Sequence, residues 1–146
     1  MFVLDIKKIT TAEDLEKAFS IRKKVFVEEQ KVPVEEEIDG FDVLDGDCEH
    51  VLLTDDHGAV GTGRVRLVDG YGKIQRVAIL IEARKNGYGK VIITKLEQLA
   101  AARGAKKAKL DAQVHAIGFY EKLGYTVQSE VFMDAGIEHV LMTKEL

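Results

Sequence analysis

The chain reads as an α/β protein of the α+β kind, with the element order β-α-β-β-β-α-β-α-β-β in one domain over residues 1–146. Three observations predict this. Apolar-alternating segments flank tight-turn residues at Asp55-Asp56-His57-Gly58 and Asp69-Gly70-Tyr71-Gly72, which makes an antiparallel meander. Val91, Ile92, Leu96, Leu99 and Ala100 recur at helical spacing directly after a strand, and two closing strands flank Asp134-Ala135-Gly136.

Phe2 to Ile9 reads as the first strand. Thr10 with Glu13 forms a capping box, and Leu15, Ala18, Phe19, Val25 and Phe26 extend an amphipathic helix from Ala12 into Glu29, ending before Pro33. Glu28 to Glu49 is acid-rich with little periodicity, so it reads either as an irregular substrate loop or as a solvated surface segment. Glu49–Thr54, Ala59–Val68 and Lys73–Leu80 form the meander. The helix after it ends near Arg103-Gly104, and the alternation of Ala108, Leu110 and Ala112 with charged residues makes Lys106–Gln113 a strand. A short helix carrying Tyr120 follows, then Thr126–Met133 and Glu138–Thr143 as a hairpin.

The net charge of −4 and the 46% hydrophobic content fit a globular chain whose main partner is neither nucleic acid nor an anionic membrane. No apolar run has the length of a signal peptide or a membrane span, so a cytoplasmic location is expected. The lone Cys48 reads as an ordinary thiol, and no Cys/His set has zinc spacing, so no metal is expected.

The segment Arg84-Lys85-Asn86-Gly87-Tyr88-Gly89-Lys90 joins a strand to a helix. Gly87 and Gly89 allow close backbone approach to an anion, the amides that open the helix point at it, and Arg84, Lys85 and Lys90 add positive charge. A phosphate cradle is expected, against the plainer reading of a strand-to-helix turn. It is not a dinucleotide loop, because Ile92 stands where the third Gly belongs. Nor is it a P-loop, which needs Gly at Arg84 and Ser or Thr at Val91. Downstream, Ala116-Ile117-Gly118-Phe119-Tyr120-Glu121-Lys122-Leu123-Gly124-Tyr125 reads as a short helix ended by a left-handed Gly124, with Phe119 and Leu123 on one face and Tyr125 returning to the core.

The Arg84-x-x-Gly87-x-Gly89 pattern resembles the pyrophosphate loop, (Gln/Arg)-x-x-Gly-x-(Gly/Ala), of the GNAT superfamily of N-acetyltransferases. The Tyr120 segment resembles the A-x-x-F-Y-x-K-x-G-(F/Y) element of the same fold, and the element order matches along nearly the whole chain. The resemblance, to the small single-domain bacterial type, implies a mixed, mainly antiparallel sheet with helices on both faces and two central strands splayed to admit a pantetheine arm. It implies acetyl-CoA as co-substrate, with Val77, Ala78 and Ile79 along the pantetheine, and Arg84, Lys85, Asn86, Gly87, Tyr88, Gly89 and Lys90 at the pyrophosphate. Gln113 stands where an Asn often contacts the cofactor, Lys85 where Gly is common and Ile81 where Pro is frequent.

The implied chemistry is attack of an amine on the thioester, with an amide at Ile79 or its neighbour as oxyanion donor and Tyr120 as acid for the leaving thiolate. Candidates for the base are Glu28, Glu29, Asp39, His50 and a water held by Gln75. Glu29 is favoured because Phe26-Val27-Glu28-Glu29-Gln30 resembles a stretch recurring in a bacterial subgroup of small acetyltransferases. His115 reads as a polar residue at a helix N-terminus. The expected acceptor is a small-molecule amine entering near the acidic segment, with a homodimer left open. The alternatives are a non-catalytic acyl-CoA-binding or regulatory module, and a protein lysine or N-terminal acetyltransferase.

Overall fold

The computed structural model describes residues 4–146, so the Phe2–Val3 part of the expected first strand lies outside the described residues. Strands β1 (Asp5–Lys8), β2 (Glu49–Asp55), β3 (Gly58–Val68), β4 (Tyr71–Ile79), β5 (Lys107–Gln113) and β8 (Ile137–Glu145), with β6 (Thr126–Val127) and β7 (Phe132–Asp134), form one sheet. Its order is β1-β2-β3-β4-β5-β8-β6, with β7 also on β8, and among the described residues only β4 and β5 run parallel. That parallel pair needs a crossover, which helix α3 (Tyr88–Ala102) supplies. The sheet is mixed and mainly antiparallel, as expected.

The helices lie on both faces because β3 alternates bulk with its absence. A β-carbon at Gly61 would sit 2.8 Å from Ile92 and one at Gly63 2.8 Å from Leu96, so these glycines let α3 lie close on one face. On the opposite face Arg64 reaches Asp39 and Asp42 in the segment that follows the first helix. Ile92, Leu96, Val51 and Leu53, each fully buried, form the centre of the core.

Helix α1 (Ala12–Arg22) is capped by Thr11, whose hydroxyl accepts the Asp14 amide at 3.2 Å, so the cap lies one position beyond the expected Thr10. The helix continues to Glu29 as predicted, but Lys23–Glu29 is π-helical, with the Gln30 amide bonded to the Val25 carbonyl.

The acidic segment is neither irregular throughout nor simply solvated. It contains α2 (Val34–Glu37), and its carboxylates meet three arginines from other elements. Arg22 binds Glu37 at 2.7 Å and Asp42 at 2.6 Å, Arg64 binds Asp42 and Asp39 at 2.8 Å, and Arg76 lies 3.2 Å from Glu37. Arg22, Arg64, Glu37 and Asp42 are buried, which an unpaired charge would not tolerate.

Two strand boundaries also differ from expectation. Asp69 and Gly70, both at positive φ, make the β3–β4 turn alone, so Tyr71 and Gly72 are already in β4. The expected Thr126–Met133 strand splits because Ser129 Oγ takes the Leu141 amide at 2.8 Å, interrupting the ladder between β6 and β7.

Candidate active site

β4 carries a bulge. Gln75 pairs with Arg64 and Ala78 with Thr62, so Gly63 alone faces Arg76 and Val77, and Arg76 sits at φ 57°. β5 pairs with β4 only as far as Ile74 opposite Leu110, and the two strands part beyond that point. The Leu80 amide bonds back to Val60, so alternation turns the N–H groups of Val77 and Ile79 away from β3 and into the gap. The result is a cleft of about 1160 Å³ that contains this free edge, the Arg84–Gly89 loop, the end of the first helix, Gln113 and Tyr120.

The loop is braced from within. Asn86 donates to the Ala83 carbonyl at 2.9 Å, and the Tyr88 side chain is buried with its hydroxyl 3.0 Å from Asp55. Tyr88 and Asn86 therefore offer a ligand their backbone rather than their side chains. Gly87, at φ 77°, caps α3 without a side-chain acceptor, leaving the first-turn amides without intrahelical partners. Lys85 adopts φ 67°, which explains why Gly suits that position in the superfamily pattern. Lys85 and Lys90 are exposed.

Arg84 is engaged otherwise than the sequence suggests. Its Nε donates to the Ile79 carbonyl at 2.9 Å, and its terminal nitrogens grip Glu29 at 2.7 and 2.8 Å. The fork ties the loop to β4 and to the π-helical stretch. Arg84's hydrogen bond holds the Glu29 carboxyl below its ordinary pKa.

Tyr120 stands on α4 (Ile117–Lys122), half-buried between the edges of Phe119 and Tyr125 at 5.0 and 5.9 Å. Its hydroxyl has no hydrogen-bond partner among the described residues, and burial pushes its pKa up to about 12. Gly124, at φ 98°, ends the segment, and Tyr125 returns to the core as expected. Phe119 does not join Leu123 against the core; it is 40% exposed and lies over Gly89.

Of the candidate bases, only Glu29 and Gln75 line the cleft. His50, on β2, is buried with Nε2 3.1 Å from the Phe41 carbonyl, Asp39 is paired with Arg64, and Glu28 is exposed outside the cleft. Gln75 Oε1 accepts from Arg64 at 3.2 Å. Gln113 donates to Gln30 at 2.8 Å and its oxygen lies 2.7 Å from His115 Nε2, a bridge from β5 to the first helix. Gln30, Asp111 and His139 also line the cleft. Gln30 is marked in the sequence only as part of the Phe26–Gln30 stretch and His139 not at all, because only the β5–β8 register brings His139 opposite Gln113. No group of metal-ligating side chains occurs among the described residues.

Residues 11–146 match the acetyltransferase (GNAT) domain family. The chain belongs to the GNAT acetyltransferase family. It is an acyltransferase of the N-acetyltransferase class. The chain is 52% identical over 142 residues to a Bacillus subtilis protein that carries a provisional acetyltransferase name, with 97% of each covered. The crystal structure of a Lactobacillus plantarum protein, provisionally an N-acetyltransferase, is 27% identical with 99% of both chains covered and a TM-score of 0.89. An acyl-CoA N-acyltransferase from Pseudomonas aeruginosa is 28% identical, with 99% of both chains covered and a TM-score of 0.84. No helix among the described residues is long and apolar enough to cross a membrane.

Proposed function

We propose that this GNAT protein, as one domain over residues 1–146, transfers the acetyl group of acetyl-CoA to the primary amine of a small molecule. The observation that carries this reading is the unpaired edge of β4 facing an unbonded Tyr120 hydroxyl across one cleft. A pantetheine arm carries amide groups that can complete a strand edge, as β5 would have done. The Pseudomonas aeruginosa relative is an acyl-CoA N-acyltransferase by name, which supports the co-substrate class.

Acetyl-CoA supplies the activated thioester carbonyl. The Val77 amide receives the arm, and Ile79 N–H donates to the thioester oxygen as it gains charge, since the Leu80 amide is bonded to Val60. The first-turn amides of α3 with Lys85 and Lys90 hold the pyrophosphate, and Gln113 contacts the arm after exchanging its bond to Gln30. Tyr120 donates to the leaving sulfur. Its raised pKa keeps the proton in place at neutral pH, while making full transfer costlier than from an ordinary phenol.

Glu29 serves first to orient Arg84. A carboxylate gripped by a guanidinium fork and held at low pKa is a weak base, which counts against the role favoured from sequence. The acidic segment is a weaker lure for cations than its composition suggests, since Glu37, Asp39 and Asp42 are matched by Arg22, Arg64 and Arg76. Glu36, Asp111 and Asp134 in the cleft keep the preference for a cationic acceptor.

The test is coenzyme A release from acetyl-CoA against a panel of amines, polyamines, amino sugars and peptides. Turnover with small amines and none with peptides is expected; coenzyme A binding without turnover on any acceptor would favour a binding module.

A further inference from the structure

We infer that His139 is the catalytic base that takes the proton from the acceptor's ammonium group, an assignment that rests on the transferase reading above. His139 pairs with Gln113 across β5 and β8 and with Phe132 across β7 and β8. Strand alternation therefore puts Asp111, Gln113, Ile137 and His139 on one face, and all four line the cleft that holds Tyr120 and the free edge of β4.

The imidazole is set up as an acceptor. His139 is only 8% exposed, and its Nδ1 lies 2.7 Å from the Ile137 carbonyl. A carbonyl oxygen can only accept, so Nδ1 carries the hydrogen of the neutral ring and Nε2 presents its lone pair. Nε2 has no hydrogen-bond partner among the described residues. Nor does it belong to the sealed unpartnered side-chain atoms, which are Glu49 Oε2, Arg64 Nε and Arg66 Nε, so it is not enclosed, and His139 lines the cleft. Phe132 stacks on the ring at 6.0 Å and 23°, holding its plane.

Three of the bases expected from the sequence are engaged elsewhere. Glu29 is gripped by Arg84, Asp39 by Arg64, and His50 Nε2 by the Phe41 carbonyl. Of the titratable groups on the elements around His139, Asp111 of β5, His115 just beyond it and Asp134 of β7 line the same cleft, while Lys107 and Lys109 of β5 and Glu138, Lys144 and Glu145 of β8 do not. Glu29, Glu36 and Glu37 stand elsewhere on the cleft wall. An imidazole is a stronger base than a free carboxylate.

The protons balance. Nε2 takes one proton from the ammonium, and the freed nitrogen forms the C–N bond as the C–S bond breaks. Tyr120 protonates the departing thiolate, and the second proton lost by the nitrogen restores Tyr120. His139 then releases its proton to solvent, so one proton leaves per acetyl group transferred.

His139→Asn is the informative variant, because an Asn amide can still donate toward the Ile137 carbonyl while the Nε2 lone pair is gone. Three measurements on the full-length protein test the assignment: coenzyme A affinity, kcat/KM with an alkylamine, and kcat/KM with an aniline or hydrazine that is already neutral at pH 7. Unchanged coenzyme A affinity is expected, with a loss of about 10²-fold for the alkylamine and less than a few-fold for the neutral amine. Equal losses on both acceptors, or no loss on either, overturn the role of His139 while leaving the transferase reading intact. Absence of coenzyme A binding to the wild-type protein overturns both. Nitrogen-15 imidazole spectra of the wild-type protein give a readout independent of the variant. A neutral ring protonated at Nδ1 is expected, and one protonated at Nε2 refutes the assignment.

Discussion

The ring of Phe119 rests on Gly89, where a β-carbon would fall 2.7 Å from Cζ. Gly89 therefore connects the Arg84–Lys90 loop to α4, and through the Phe119 edge to Tyr120. Gly89→Val should destabilise the fold by about 1–3 kcal/mol through overpacking. Adding Phe119→Ala should recover part of that loss, as a double-mutant cycle in thermal or urea unfolding would register. Additive effects would show that the contact is not what excludes a side chain.

Gly87 separates conformation from crowding. A β-carbon there meets nothing within 4 Å, but φ is 77°. Gly87→Ala should cost about 1–2 kcal/mol from the left-handed backbone alone, with no relief from Phe119→Ala. Calorimetric unfolding of the single and double variants checks it.

Tyr120→Phe keeps the ring that packs on Phe119 and Tyr125 and deletes the unbonded hydroxyl. Turnover should fall about 10²-fold with coenzyme A affinity preserved. Because the Tyr120 pKa lies near 12, activity should show no loss attributable to this group as pH rises from 7 to 10. A pH–rate profile, with chemistry limiting, decides the matter.

Glu29→Gln leaves Arg84 bonded to the Ile79 carbonyl while removing a negative charge beside the loop. Coenzyme A should bind a few-fold tighter at low ionic strength, an advantage that disappears in high salt as exposed charges are screened over about 10 Å at 0.1 M. kcat with an alkylamine should be little changed. A large fall in kcat with a displaced acid limb would instead restore Glu29 as the base.

Asp42 is buried, which by itself raises a carboxyl pKa. Hydrogen bonds from Arg22 and the Asp39 amide, with Arg64 beside it, prevail and hold it far below the usual range. A folded-state pKa below the unfolded value of about 3.9 means that its stabilisation is present above that pH and is lost as pH falls through the folded value. Glu37, raised by burial against the pull of Arg22 and Arg76, contributes in the opposite sense. Asp42→Asn should cost about 3–5 kcal/mol at pH 7 by leaving buried guanidinium charge unmatched. The gap from the wild type should narrow below about pH 4, as urea titrations across pH would reveal.

The sequence by itself determined the element order, the loop at Arg84–Lys90 and the helix that presents Tyr120, because those features rest on local rules. Apolar spacing sets period, and Gly70, Gly87 and Gly124 occupy positive-φ positions that turns and caps require. What the tertiary structure decided was which charges neutralise one another and which lone pairs remain free. The Glu28–Glu49 segment showed its carboxylates but not Arg22, Arg64 and Arg76, which reach it from a helix and two strands. Glu29 stood out locally, yet Arg84 of a distant loop holds it, whereas His139 had no local pattern at all. Its place in the cleft depends on β8 pairing in register with β5, and its free Nε2 on a hydrogen bond to Ile137. Hydrogen bonds and ion pairs between distant segments follow from side-chain geometry in the assembled sheet, which periodicity along the chain does not encode.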